Sequence, residues 1–229
     1  MAMQFTPWPS ASLVAMSGGP TLAVEWLGRV EYEAALALQH RCVEERIAGD
    51  RGDTLLLVEH EPVFTLGRKR TALANVLDAG DVPVVQVERG GDVTWHGHGQ
   101  LVGYPIIMLD DERGERDLHW VLRQLEEAVI TVLGKCGLEA ERKPRYTGVW
   151  CQGKKLASLG VAVRGWVTYH GFAINVDPDL SWFRRINPCG LESGIMGSVA
   201  SLGGTAPSAE TLREEVAVAV AAAMGRRRL

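Results

Sequence analysis

Apolar positions along this chain recur with two different periods, and those periods predict most of its elements. From Glu31 to Ile47 they recur three and four residues apart and stop before Gly49, the spacing of one helix face. Thr54 to Val58 is a continuous apolar run too short for a helix, which predicts a buried strand. Glu61-Pro62 breaks it ahead of a second run, Val63 to Arg68. Val82 to Glu88 and Leu101 to Leu109 predict two further strands. Tyr104-Pro105 should mark an edge or a bulge in the latter, because proline donates nothing to a ladder. Asp117 has the chemistry of an N-cap, and a long amphipathic helix is predicted behind it to about Lys135, closed by Gly137. Short strands follow over Thr147 to Cys151, Lys155 to Arg164 and Val167 to Val176, the last two joined by a turn at Gly165. Ser208 caps a final Ala-rich helix, Glu210 to Met224, and the Pro- and Ser-bearing start predicts a flexible segment over roughly residues 1–20. Grouped strands, a few helices and no regular βαβ alternation predict an α+β fold: one mixed sheet flanked by helices, in a single domain over residues 1–229.

Composition narrows the class. A chain of 229 residues is long enough for one full-sized core. A net charge of −4 argues against general nucleic-acid binding, which calls for a basic face. No apolar run reaches membrane-spanning length. Met1 to Gly28 holds no Lys or Arg, which predicts neither a secretory nor a transit segment and hence a cytoplasmic protein. The four cysteines, Cys42, Cys136, Cys151 and Cys189, are scattered without framework spacing, as suits free thiols in a reducing compartment.

The candidate chemistry lies in three segments. Cys189 sits in the turn Asn187-Pro188-Cys189-Gly190, where Pro fixes one φ and Gly permits a tight path, so its thiol can face a cleft. The plainer reading is a small buried hydrophobe, because reactivity needs a partner that lowers the thiol pKa. Lys155, at the head of an apolar strand, can supply that partner. Lys154 beside it must point to the opposite face, so only one of the two can serve the site. The run Arg89-Gly90-Gly91-Asp92-Val93-Thr94-Trp95-His96-Gly97-His98-Gly99-Gln100 joins two strands instead of opening a helix, which excludes a nucleotide phosphate loop and leaves a plain hairpin or a ligand-lining loop. We favour the lining loop, given the side chains that accompany its glycines. His96-x-His98 resembles half a zinc site, but no third ligand falls at a suitable spacing, so no metal and no cofactor are expected. Basic clusters at 68–70, 142–145, 184–185 and 226–228 stand out on an acidic chain; each is either scattered solvation or part of a docking rim for an acidic partner.

The strings RGGDVTWHGHGQLVGYPI, TGVW, KKLASLG, TYHGFAINVDPDL and INPCG, in this order, resemble the lipoyl(octanoyl) transferase family from about Val63 to Leu202. The resemblance implies a fold similar to the catalytic domains of biotin and lipoate protein ligases. It implies transfer of an octanoyl group from octanoyl-acyl carrier protein to a lysine of lipoyl domains, those of 2-oxoacid dehydrogenase complexes and the glycine cleavage H protein, in lipoate biosynthesis. It makes Cys189 the acyl-thioester nucleophile and Lys155 the group that lowers its pKa. Substrate binding falls on Arg89, Gly90, Gly91, Asp92, Val93, Thr94, Trp95 and His96, on Ser158, Leu159 and Gly160, and on Gly171, Phe172 and Ala173. His98, Trp95 and Ala200 depart from the residues usual at those positions, which bears on acyl preference and leaves the Cys and Lys untouched. An apolar tunnel lined by Leu159, Val161, Phe172 and the Gly-rich loop is expected to exclude water from the thioester. The competing readings are an ATP-dependent lipoate or biotin ligase, an octanoyl amidotransferase between lipoyl proteins, and a non-catalytic acyl- or carrier-binding module.

Overall fold

The computed structural model describes residues 19–187 and 193–229. Cys189 and nearly all of the expected flexible start lie outside the described residues. Eight strands form one mixed sheet in the order β11-β1-β2-β6-β10-β9-β8-β7. These are β1 (Thr21–Val30), β2 (Asp53–His60), β6 (Gln100–Ile106), β7 (Glu141–Lys143), β8 (Tyr146–Cys151), β9 (Lys154–Arg164), β10 (Val167–Asn175) and β11 (Arg227–Arg228). The β1 pairings with β2 and β11 are parallel, and every other pair in this sheet is antiparallel. A second sheet of β3 (Val63–Leu66), β4 (Val84–Gln86) and β5 (Val93–His96) has β3 in its centre.

The helices cover the large sheet on both sides. α1 (Tyr32–Ala48) packs on one face, where Ala35, Cys42 and Val43 meet Leu56, Val58 and Ile106. α2 (Leu118–Lys135) and α3 (Ala209–Ala223) cover the other, burying Leu125, Val129 and Val216 against Leu55, Leu57 and Ile174. Because β2 is buried on both faces, its sequence is continuously apolar instead of alternating. Asp117 accepts from the His119 N–H at 2.8 Å and Ser208 from the Thr211 N–H at 3.2 Å, so both caps fall at the residues expected. No helix among the described residues is long and apolar enough to cross a membrane.

Two expectations need correction. Residues 21–30 form a full strand, although the pattern gave no strand before Glu31. Pro105 stands in an interior strand, between β2 and β10, not at an edge. The ladder opens instead: β6 and β10 pair up to Gly103↔Phe172 and meet again at Met108↔Val167, so Pro105 lies opposite His170. His170 takes a left-handed φ of 55°, and the Thr168 hydroxyl donates to the Pro105 carbonyl at 2.6 Å. The strands keep one residue opposite one across this gap, and the His170 N–H donates instead to Gln39 Oε1 at 2.8 Å.

Candidate active site

A cavity of about 510 Å³ opens over the middle of the large sheet. Its floor is β9 and β10, where Ser158 to Val161 run beside His170 to Ala173, with Gly160 paired to Gly171. Both glycines are sterically required. A Cβ on Gly160 would meet the Gly90 carbonyl at 2.9 Å, and one on Gly171 would run into the Gly103 carbonyl. The roof is the loop from Arg89 to Thr94, and the start of α2 supplies Leu118 and Leu122 from one side.

Buried polar groups hold the roof in place. The Arg89 guanidinium donates to the Asp92 carbonyl at 2.8 Å, to the Thr65 carbonyl at 2.8 Å and to Thr65 Oγ1 at 2.9 Å. The Asp92 carboxylate accepts from Lys69 Nζ at 2.8 Å, from Asn75 Nδ2 at 2.9 Å and from the Val93 N–H at 2.8 Å. Burial pushes its pKa up, but donation from Asn75, Lys69 and Val93 outweighs burial and holds it below the usual carboxylate value. Arg89 and Asp92 therefore shape the loop as well as line the cavity.

Lys155 lies in the cavity wall and is only 6% exposed. Its Nζ stands 6.0 Å from the centre of the Trp150 ring. Its aliphatic stem lies against Gly148, where a Cβ would collide with Lys155 Cε. Lys154 takes the opposite face, exposed, and donates to the Gly194 carbonyl at 2.6 Å. The Lys155 carbonyl accepts from the Gly197 N–H at 3.0 Å. The Gly197 carbonyl accepts from Asn175 Nδ2 at 2.8 Å, Asn175 Oδ1 from Gln100 Nε2 at 2.9 Å, and Gln100 Oε1 from the His96 Nδ1–H at 3.2 Å. One buried chain of polar contacts thus links the Gly-rich segment to the backbone beside Lys155.

Of the expected substrate-binding residues, thirteen line this cavity: Arg89, Gly90, Gly91, Asp92, Val93, Thr94, His96, Ser158, Leu159, Gly160, Gly171, Phe172 and Ala173. Trp95 does not. Alternation along β5 turns its indole into a separate cluster with Phe64 and Phe183, stacked 5.9 Å from Trp182. The Val93 side chain belongs to that cluster too. His98 is exposed and pairs with Glu61 at 2.8 Å, whereas His96 is buried in the cavity wall. Tyr32 and Tyr104 line the inner end and were not foreseen. The Tyr104 hydroxyl donates to His60 Nε2 at 2.6 Å, while the His60 Nδ1–H donates to the Val30 carbonyl at 2.9 Å. Burial lowers the His60 pKa to about 4, and burial, helped by His60 and Arg89, lowers that of His96 well below its usual value. Both imidazoles are neutral at physiological pH.

A mixed sheet whose central strands floor a ligand-sized cavity, with a buried amine in its wall, is an architecture with known relatives. The chain belongs to the family of the lipoyl protein ligase A/B catalytic domain, whose model matches residues 31–221. Within it, the chain is 50% identical over 191 residues to a protein of Geobacter metallireducens named octanoyltransferase, covering 83% of this chain and 88% of that one. It is 47% identical to an octanoyltransferase of Gloeobacter violaceus, covering 86% and 88%. Among solved structures, a lipoate-protein ligase A with bound ATP matches with a TM-score of 0.70 at 15% identity, over 92% of this chain and 87% of that one. A biotin protein ligase from Aquifex aeolicus, in complex with biotin and ATP, matches at 0.53 and 14% identity, over 89% and 70%. These structural likenesses establish a shared fold.

Proposed function

We propose that this chain is a cytoplasmic octanoyltransferase of lipoate biosynthesis, moving an octanoyl group from octanoyl-acyl carrier protein to a lysine of lipoyl domains through a thioester on Cys189. The acceptors are the lipoyl domains of 2-oxoacid dehydrogenase complexes and the glycine cleavage H protein. The observation that carries the reading is Lys155: a buried lysine amine in the wall of an acyl-sized cavity, in a chain half identical to octanoyltransferases. Support for Cys189 as its partner comes from the flanking residues. The Asn187 N–H donates to the Asn75 carbonyl at 2.8 Å, and the Asn75 side chain holds Asp92 of the cavity roof. Two residues of chain reach at most about 7 Å beyond Asn187. On the other flank, Gly194 and Gly197 are bonded to Lys154 and Lys155. Cys42, Cys136 and Cys151 are all unpaired thiols, as a reducing compartment requires.

The chemistry follows in two steps. The Cys189 thiolate, favoured by the nearby Lys155 ammonium, attacks the donor carbonyl; the ammonium protonates the departing carrier sulfur, which leaves as a thiol, and Lys155 is left as a neutral amine. The acceptor lysine, as its neutral amine, then attacks the enzyme thioester; neutral Lys155 takes the proton released as the C–N bond forms, and the Cys189 thiolate leaves, which restores the ion pair. An amide is more stable than a thioester, so the second step runs downhill without ATP. The octanoyl chain would rest on Leu159, Val161 and Phe172. Burying about seven methylenes at about 0.8 kcal/mol each holds it with roughly 5 kcal/mol.

Intact-mass analysis tests the reading. Octanoyl-carrier protein should add one octanoyl group to the enzyme, and a lipoyl domain added without ATP should remove it and gain the same mass. Cys189→Ser should abolish both shifts. An adduct that persists in this variant would sink the assignment, as would transfer that requires ATP.

A further inference from the structure

The basic clusters can be sorted by what each already holds. Arg226 is buried against Asp53 at 2.9 Å and Glu115 at 2.6 Å, and Arg228 pairs with Glu214 at 3.3 Å. Arg142 is taken by Glu126 at 3.3 Å and Glu127 at 2.7 Å, Lys69 by Asp92, and Arg185 lies over the Trp182 ring. Lys143 and Arg145 pair with no carboxylate among the described residues. Arg68, Arg70 and Arg184 also lack such an ion pair, but they line no part of the cavity.

Arg145 does line it, and Lys143, two residues away, lies over Tyr146 of the same wall. The Lys143 Nζ stands 4.8 Å from the centre of the Trp150 ring, the same ring that Lys155 approaches. It also stands 5.7 Å from the Tyr146 ring. Arg145 takes a left-handed φ of 71° in the connection between β7 and β8. Pro144-Arg145 is the two-residue turn between these strands, and its geometry accounts for that φ. Beside it, Tyr146 and Leu118 are exposed apolar groups that also belong to the cavity wall. Arg145 at the mouth and Lys143 two residues away therefore hold no ion pair among the described residues, and they stand beside exposed apolar side chains.

We propose that Lys143 and Arg145, together with exposed Tyr146 and Leu118, are the docking surface for an acidic carrier protein that delivers the acyl thioester. This deepens the reading above and rests on it. Charge decides between donor and acceptor. A thioester is uncharged, so a cationic rim assists delivery only if the body that bears it is acidic. The acceptor arrives as a lysine ammonium, which the same rim repels.

The test compares two donors with the full chain and a lipoyl-domain acceptor: octanoyl-carrier protein, and octanoyl-pantetheine, which lacks the protein. The double variant Lys143→Glu, Arg145→Glu should lower the ratio of kcat/KM for the carrier donor to that for the small donor by about tenfold, through KM. Added salt should lower the carrier rate of the wild type, by screening attraction, and raise that of the charge-reversed variant, by screening repulsion. Arg213→Glu, the same reversal on α3, where Arg213 lies over the Trp26 ring, should leave the ratio unchanged. A ratio that stays constant in an enzyme that uses the carrier overturns this inference alone, as does a rise confined to the KM of the lipoyl domain. A wild type idle with the carrier but active with octanoyl-pantetheine overturns the donor assignment first, and this inference with it.

Discussion

Gly148 offers the sharpest test of how the site is built. It adopts a φ of 137°, and a methyl group placed on it would collide with Lys155 Cε, lie 2.8 Å from the Ala157 carbonyl and 3.2 Å from Lys155 Nζ. The backbone cannot slide aside to relieve this. The Gly148 N–H donates to Glu126 Oε1 at 2.9 Å, and buried Glu126 is itself held by Arg123 at 2.6 Å and by Arg142. Gly148→Ala must therefore move the lysine. A side chain at that φ costs of order 1–3 kcal/mol, and overpacking a filled site about the same. Together they predict a loss of about 3 kcal/mol, which lowers Tm by roughly 10 °C in a domain of this size. Displacing a catalytic group by about 1 Å costs on the order of 100-fold in rate, so transfer should fall by about that factor. Truncating the lysine should remove part of the clash. Gly148→Ala, Lys155→Ala together should be less destabilised than the sum of the single changes, with a coupling of about 1–2 kcal/mol. Thermal unfolding and octanoyl transfer of the four proteins decide it. Strict additivity, or an alanine variant that transfers at the wild-type rate, would refute the claim that Gly148 exists to seat Lys155.

Other outcomes follow from the packing. Arg226→Met leaves Asp53 and Glu115 buried without their shared cation and should cost about 3 kcal/mol in urea unfolding, with transfer per folded molecule unchanged; a loss under 1 kcal/mol would show the network to be incidental. A hexanoyl donor lacks two methylenes of the octanoyl chain, so its kcat/KM should be lower by about 1.6 kcal/mol, or roughly 15-fold; equal use of both donors would disprove an apolar cavity fitted to the chain. His60 is held to about 4 in the folded chain, against about 6.5 when unfolded, so the unfolded state binds a proton that the native state refuses. Its contribution, about 3 kcal/mol, is fully present above pH 6.5 and is lost as pH falls toward 4. Urea midpoints across that window should flatten in His60→Gln, and an unchanged slope would count against the buried neutral imidazole.

What the sequence revealed of the fold, and what it hid, has a physical pattern. α2 and α3 were legible because cap, apolar stripe and closing glycine are all local signals. β1 was not. Its side chains are mostly half-buried, its run is interrupted by a register shift between Trp26 and Arg29, and its partner β2 comes only after α1. A strand that owes its existence to distant pairing leaves little trace in its own residues. Pro105 misled for the complementary reason. The strand opposite it leaves the ladder at His170, whose N–H turns to Gln39 of α1, and no local rule anticipates that.

The site divides along the same line. That only one of Lys154 and Lys155 could serve followed from the two-residue period of a strand, and the structure sets Lys155 in the cavity wall and Lys154 at the surface. The same period separates Trp95 from His96, a distinction the string of motif residues obscured. Tyr32, His60 and Tyr104 come from α1, β2 and β6, and only the order of strands brings them to one end of the cavity. The large sheet itself carries no reaction, since chains at 15% identity share it while binding ATP. The candidate site is attached to that scaffold at a few points. A glycine makes room for a lysine, a loop is locked by a buried arginine and aspartate, and burial strips charge from the imidazoles at the inner end. The inner end of the cavity thereby holds neutral side chains at Tyr32, His60 and Tyr104, while the amine of Lys155 stands in the wall beside the strands that seat it.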